Sequence, residues 1–234
     1  MTATSEHTPT PAKASATVVL VRDGKQHLEA LMVKKNSNIT FGGSWVFPGG
    51  MIETADVVKI ADTSRETAKR AACRETFEET SIKLNENKLY PVSHWVTPPQ
   101  LAKRYSTWFF IANANHIKQT VSIDKQEIVD FRWLSSARAL ELHASKQIKL
   151  SAPSFVTLHG LEKFTSSVDA IRHYQNIDPH QYLPRGFASE QGFITLFQED
   201  CGYSLPDAEA LQAQGLKHRT IMHKDSPWEY IRET

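Results

Sequence analysis

The segment from Ser64 to Thr80 constrains this chain more than any other, because it reads as one helix whose apolar face turns acidic before it ends. It contains neither Gly nor Pro, and Asp62, Thr63 and Ser64 at its start are side chains that cap helix N-termini. At about 100° per residue, Ala68, Ala71 and Ala72 share an arc of roughly 120° with Glu75, Glu78 and Glu79. The carboxylates therefore point inward or into a cleft. Glu66 and Arg70 fall on another face, acid first and four residues apart, the order of a supporting ion pair.

Such a helix end is unfavourable by itself. Glu75 and Glu79 repel at i,i+4 by a few tenths of a kcal/mol, and carboxylates near a helix C-terminus oppose its dipole. A hard divalent cation compensates, since Mg²⁺ takes oxygen ligands and commonly bridges a few carboxylates to substrate phosphates. The alternative is a solvated acidic face, and the alanine stripe argues against it.

Upstream, Trp45-Val46-Phe47-Pro48-Gly49-Gly50 reads as an apolar strand end running into a Pro-Gly-Gly turn. Gly49 and Gly50 let the backbone approach a ligand closely and offer N–H groups to it. Loop and acidic helix together resemble the box of the Nudix hydrolase family: Gly, five residues, Glu, seven residues, then Arg-Glu-apolar-x-Glu-Glu-x-Gly-apolar. Glu66, seven intervening residues, and Arg74-Glu75-Thr76-Phe77-Glu78-Glu79-Thr80-Ser81-Ile82 match that register.

Three departures accompany the match. Fifteen residues rather than five separate Gly50 from Glu66, so about ten residues within Ile52 to Ser64 read as an insertion that loops out. Thr76 takes an apolar position, and Ser81 stands where the family has Gly, although a left-handed helix exit costs Ser more. The split box, with His94-Trp95-Val96-Thr97-Pro98, Lys103 to Phe110, Asp124 to Leu134 and Leu150 to Ser154, resembles the Nudix branch of coenzyme A diphosphatases.

The resemblance runs from about Ala16 to Phe164. It implies an α+β fold with a mixed sheet sandwiched between helices, and Mg²⁺- or Mn²⁺-dependent hydrolysis of a diphosphate linkage by water. Glu75, Glu78 and Glu79 would hold metal, Arg74 would brace loop and carboxylates, and Glu78 or Glu127 would orient the water or take its proton. The expected substrate is coenzyme A or an acyl-CoA. Another nucleoside diphosphate compound is the runner-up, and a non-catalytic binding module of the same fold is a third possibility.

Elsewhere, Met1 to Ser15 is rich in Thr, Ser, Pro and Ala and reads as a disordered tail before a domain spanning residues 16–165. Ala16 to Val21 and Leu28 to Val33 read as a hairpin around Asp23-Gly24, where glycine supplies the positive φ of a tight turn. Lys34 and Lys35 close it, either as a solvated strand end or as a phosphate contact. Tyr90 to Thr97, Tyr105 to Ala112 and Ile128 to Leu134 read as strands. Lys103 and Arg104 enter the second of these, where Arg grips phosphates bidentately, against a plain surface role. Ser135 to Leu140 and Pro153 to Phe164 read as helices, the latter burying Phe155, Leu158 and Leu161.

Residues 166–234 read as a small β-rich extension packed on the same domain, covering substrate or forming a homodimer contact, with strands at Phe193 to Phe197 and Arg219 to Met222. His218 and His223 lack metal-site spacing and read as surface histidines. With 27 basic and 26 acidic residues the net charge of +1 gives no general attraction to nucleic acid or acidic membranes. Cys73 and Cys201 are too few for a disulfide framework, and there is no membrane-length apolar run or signal-peptide core. A cytoplasmic enzyme with a small nucleotide-diphosphate substrate is the expectation.

Overall fold

Alternation along the first strands decides the architecture. In β1 (Lys13–Asp23), Ala16, Val18 and Leu20 face one side of the sheet and Val19 and Val21 the other, and all five are fully buried. A strand covered on both faces requires a layer above and below it. The computed structural model describes residues 10–38, 41–57 and 64–233.

β1 and β2 (Leu28–Lys35) form the expected antiparallel hairpin, Val21 opposite Ala30. Gly24 does not take a positive φ there. Space explains the glycine instead, because a Cβ would lie 2.7 Å from the His27 carbonyl oxygen. β1 begins at Lys13, so the last three residues read as tail are strand, held where the Lys13 N–H donates to the Arg104 carbonyl at 2.9 Å. β3 (Ser44–Val46) is followed by β4 (Gly49–Met51), which pairs with β1 and sets Gly50 opposite Ala16. What reads as a Pro-Gly-Gly turn is thus a short strand. A 3-10 turn at Thr54–Asp56 precedes α1 (Ser64–Thr80), whose capping candidates Asp62 and Thr63 lie outside the described residues.

β5 (Tyr90–Val96), β6 (Tyr105–Asn113) and β7 (Ile128–Ser135) are followed by α2 (Ser136–Ala144), β8 (Lys149–Leu150), α3 (Ala152–Leu161), α4 (Ser167–Gln175) and β9 (His180–Tyr182). Ser135, Ser151 and Ser166 cap α2, α3 and α4 by accepting a backbone N–H three residues on. Among the described residues β8-β3-β2-β1-β6-β5-β9 run across one mixed sheet, with β4 added to β1 and β7 to β2. α1 packs on one face through Ala68, Ala71 and Ala72 against Leu20, Leu31 and Phe110. α2, α3 and α4 cover the other, where Leu142, Phe155, Leu158 and Leu161 join Met32, Trp45 and Ile111. A second antiparallel sheet follows, made of β10 (Arg185–Ala188), β11 (Gly192–Leu196), β12 (His218–His223) and β13 (Glu229–Arg232), with α5 (Asp207–Ala210) between β11 and β12.

The two departures within α1 have physical answers. Thr76 is fully buried at its apolar position because its hydroxyl donates to the Ala72 carbonyl at 2.7 Å. Ser81 keeps the left-handed exit at φ 61°, with its N–H bonded to the Phe77 carbonyl at 2.8 Å and its hydroxyl to the Ser122 carbonyl at 3.2 Å. The expected outcome of Ser81→Gly is stabilisation by about 1 kcal/mol in urea unfolding, from relief of that conformation. A loss of stability would mean the Ser122 contact outweighs the strain.

Candidate active site

α1 lies across β1 and β4 so that its last two turns meet the glycine strand. Arg74 organises the junction. Its Nε and Nη2 donate to the two carboxylate oxygens of Asp56 at 3.1 and 3.0 Å, Nη1 donates to Glu75 and to Glu78 at 3.0 Å each, and Nη2 also reaches the Met51 carbonyl at 2.9 Å. Asp56 is 5% exposed. Burial alone would raise its carboxyl, but hydrogen bonds from Arg74 and from the Glu53 N–H outweigh that and hold it below the usual range. Arg70 adds a bond from Nε to the Asp56 carbonyl at 2.6 Å, while Glu66 sits exposed in the first turn.

The three box glutamates differ in exposure. Glu78 is open to solvent, its side chain 56% exposed, and Glu79 is buried. Glu79 accepts from Lys35 Nζ at 2.6 Å and from the Gly49 N–H at 2.9 Å, and burial still pushes its carboxyl up to about 7. Glu75 is intermediate and is likewise raised by burial, against the pull of Arg74. It lies directly over Gly50, where any Cβ would collide with its carboxylate. The glycines therefore work differently from the sequence reading: Gly49 gives its N–H to Glu79 rather than to a ligand, and Gly50 makes room for Glu75.

Lys35 is no solvated strand end. Between Glu79 and Glu127, whose carboxylate stands 3.9 Å away, it links the helix to the loop before β7. The side chain of Glu127 is 63% exposed, at the edge of the cluster. Lys103 and Arg104 lie near the Lys13 end of β1, and Arg104 donates to the backbone carbonyls of Thr97 and Thr10 at 3.2 and 2.7 Å. Those bonds tie the N-terminal strand to the β5–β6 connection.

Sequence reasoning passed over Asp56 and the partner of Lys35. Asp56 was findable, because five residues separate it from Gly50, the family's own spacing counted forward from the loop. The insertion thus follows Asp56, and the segment before it folds back onto Arg74 instead of looping out. His218 is also corrected: it is 2% exposed, with Nδ1 2.9 Å from Glu199 and Nε2 2.9 Å from the Tyr230 hydroxyl.

Whether the cluster suits Mg²⁺ or Mn²⁺ follows from its donors and charge. Asp56, Glu75, Glu78, Glu79 and Glu127 face Arg74, Lys35 and, at the edge, Arg70, an excess of two carboxylates. All candidate ligands are oxygens, so the set fits a hard divalent cation.

The depressed Asp56 carboxyl gives a pH signature. Its contribution to stability is complete above the ordinary carboxylate pKa and is lost as pH falls through the folded value. Asp56→Asn should cost about 1–3 kcal/mol at pH 7, and the gap to the unsubstituted protein should narrow below about pH 4 in denaturant titrations. A gap constant with pH would rule out an ionic role.

The NUDIX domain family model matches residues 12–153. The acyl-coenzyme A diphosphatase NUDT19 of Gallus gallus is 32% identical over 117 residues, 46% of this chain and 30% of that protein. The Xenopus laevis protein of the same name is 36% identical over 76 residues, 31% of this chain and 20% of that one. The matches thus span less than a third of either relative. A NUDIX hydrolase from Alicyclobacillus acidocaldarius superposes with a TM-score of 0.61 at 20% identity, over 70% of this chain and 96% of that one. The NUDIX domain of Shewanella oneidensis NrtR complexed with ADP ribose gives 0.50 at 19% identity, over 64% and 86%. These two share the fold. The family match covers more than half of the chain, including the glycine strand, the Arg74 clamp and the acidic helix, and the chain belongs to the NUDIX domain family.

Proposed function

We propose that this chain hydrolyses the diphosphate of coenzyme A or an acyl-CoA. The observation that carries the reading is the carboxylate cluster assembled by Arg74 against β4, in a chain whose curated relatives are named acyl-coenzyme A diphosphatases. The Mg²⁺ or Mn²⁺ ion that the cluster fits supplies, when bound, charge neutralisation on the diphosphate and a more acidic water. Glu75 and Glu78 would hold it, and Lys35 with Gly49 keeps Glu79 in place behind them.

Water attacks one phosphorus, its oxygen forming the new P–O bond as the bridging P–O bond breaks. Glu78 or Glu127 accepts the proton, since both are exposed enough to meet a water. Lys103, beside Arg104, is the candidate for a further phosphate contact.

A second reading rests on the ADP ribose held by a protein of the same fold: the substrate is another nucleoside diphosphate compound such as ADP-ribose. We further propose a cytoplasmic setting, consistent with two free cysteines, and no nucleic-acid partner. Among the described residues no helix is long and apolar enough to cross a membrane. The second sheet is the candidate homodimer surface.

The test is hydrolysis of coenzyme A, acyl-CoA esters, ADP-ribose, NADH and dinucleoside polyphosphates with Mg²⁺ or Mn²⁺, products read by mass. Coenzyme A should yield 3′,5′-ADP and 4′-phosphopantetheine, and Glu75→Gln should lower kcat about a hundredfold or more with the fold intact. Turnover of ADP-ribose but no CoA species would move the substrate to the second reading. Near-normal activity of Glu75→Gln would remove the site itself.

A further inference from the structure

On the opposite face of the first sheet from α1, three potential metal ligands converge where the second sheet docks. His180 comes from edge strand β9, Glu199 from the turn after β11 and His218 from β12, and one ligand atom of each lies within 4.8 Å of the others. None belongs to the acidic cluster of α1.

We infer that His180 Nε2, His218 Nδ1 and the Glu199 carboxylate form a binding site for one zinc ion. His180 Nε2 is buried and makes no hydrogen bond, although it stands 3.4 Å from Glu199. A buried ring nitrogen without a partner is costly, and a metal ion removes that cost. Glu199 lies 2.9 Å from His218 Nδ1. Ligands about 2.1 Å from a tetrahedral zinc stand about 3.4 Å apart, so small side-chain rotations open the space needed.

The scaffold behind the ligands is rigid. Asp200, next to Glu199, takes Arg219 Nε and Nη2 on its two oxygens at 2.7 and 2.6 Å and also accepts the His218 N–H at 2.9 Å. That buried, bidentate pair locks the backbone of two ligand-bearing positions against each other. His218 Nε2 can donate to the Tyr230 hydroxyl at 2.9 Å, which leaves Nδ1 with a lone pair for the metal, the usual arrangement of a metal-ligating histidine.

Two imidazoles and a carboxylate suit zinc and its neighbours rather than Mg²⁺. The exposed side of Glu199 leaves the fourth position to water. Zinc here would staple β12 of the second sheet to edge strand β9 of the first.

The experiment is calorimetric titration of the metal-free full chain with Zn²⁺ in excess Mg²⁺, which occupies the acidic helix. One equivalent of zinc should bind tightly and raise Tm. His180→Ala, which leaves the Glu199–His218–Tyr230 chain in place, should lose both effects, and Glu199→Gln, at an exposed position, should weaken binding at least tenfold. Absence of a zinc site in the unsubstituted protein, or equal binding by folded His180→Ala or Glu199→Gln, would overturn the assignment.

Discussion

The guanidinium of Arg74 is the interaction on which the rest of the site depends. A helix that ends in Glu75, Glu78 and Glu79 carries charge of the wrong sign for its dipole, and Glu75 and Glu79 lie against β4. Arg74 answers with a planar fork whose donors reach Glu75, Glu78, Asp56 and the Met51 carbonyl. Lysine offers a point charge but not that geometry. Asp56 fixes the orientation of the fork, and β4 is drawn against the helix by the same bonds.

The glycines follow from this demand. Once Glu75 and Glu79 point at β4, that strand must come close without side chains, and Gly49 and Gly50 satisfy it by contact with carboxylates. Lys35 supplies the second cation from the end of β2, so the hairpin is coupled to the helix through one buried ion pair. The remaining negative charge, together with that of a diphosphate, is what a divalent cation would offset.

Much of this was legible in the sequence. The alanine face of α1, the β1–β2 hairpin and the start of α2 after Ser135 each carry a local physical signal that matches the global fold. The glutamate trio was readable from helical spacing, and Arg74 from the resemblance to the Nudix box. The fold-back of Asp56 was not, because it is a long-range pairing across 18 residues of chain and no local propensity encodes it. Lys35 was ambiguous for the same reason: a lysine at a strand end is exposed unless a distant carboxylate faces it. The second sheet was half legible, as strands, while the meeting of His180, Glu199 and His218 depends on how two sheets dock.

Asp56 and Arg74 act as one unit that positions the glutamates. A double-mutant cycle measures this directly, with kcat taken on the best substrate for the unsubstituted protein, Asp56→Asn and Arg74→Lys singly, and the pair. The double variant should be about as slow as the slower single one. Losses that multiply would show instead that the two residues act independently.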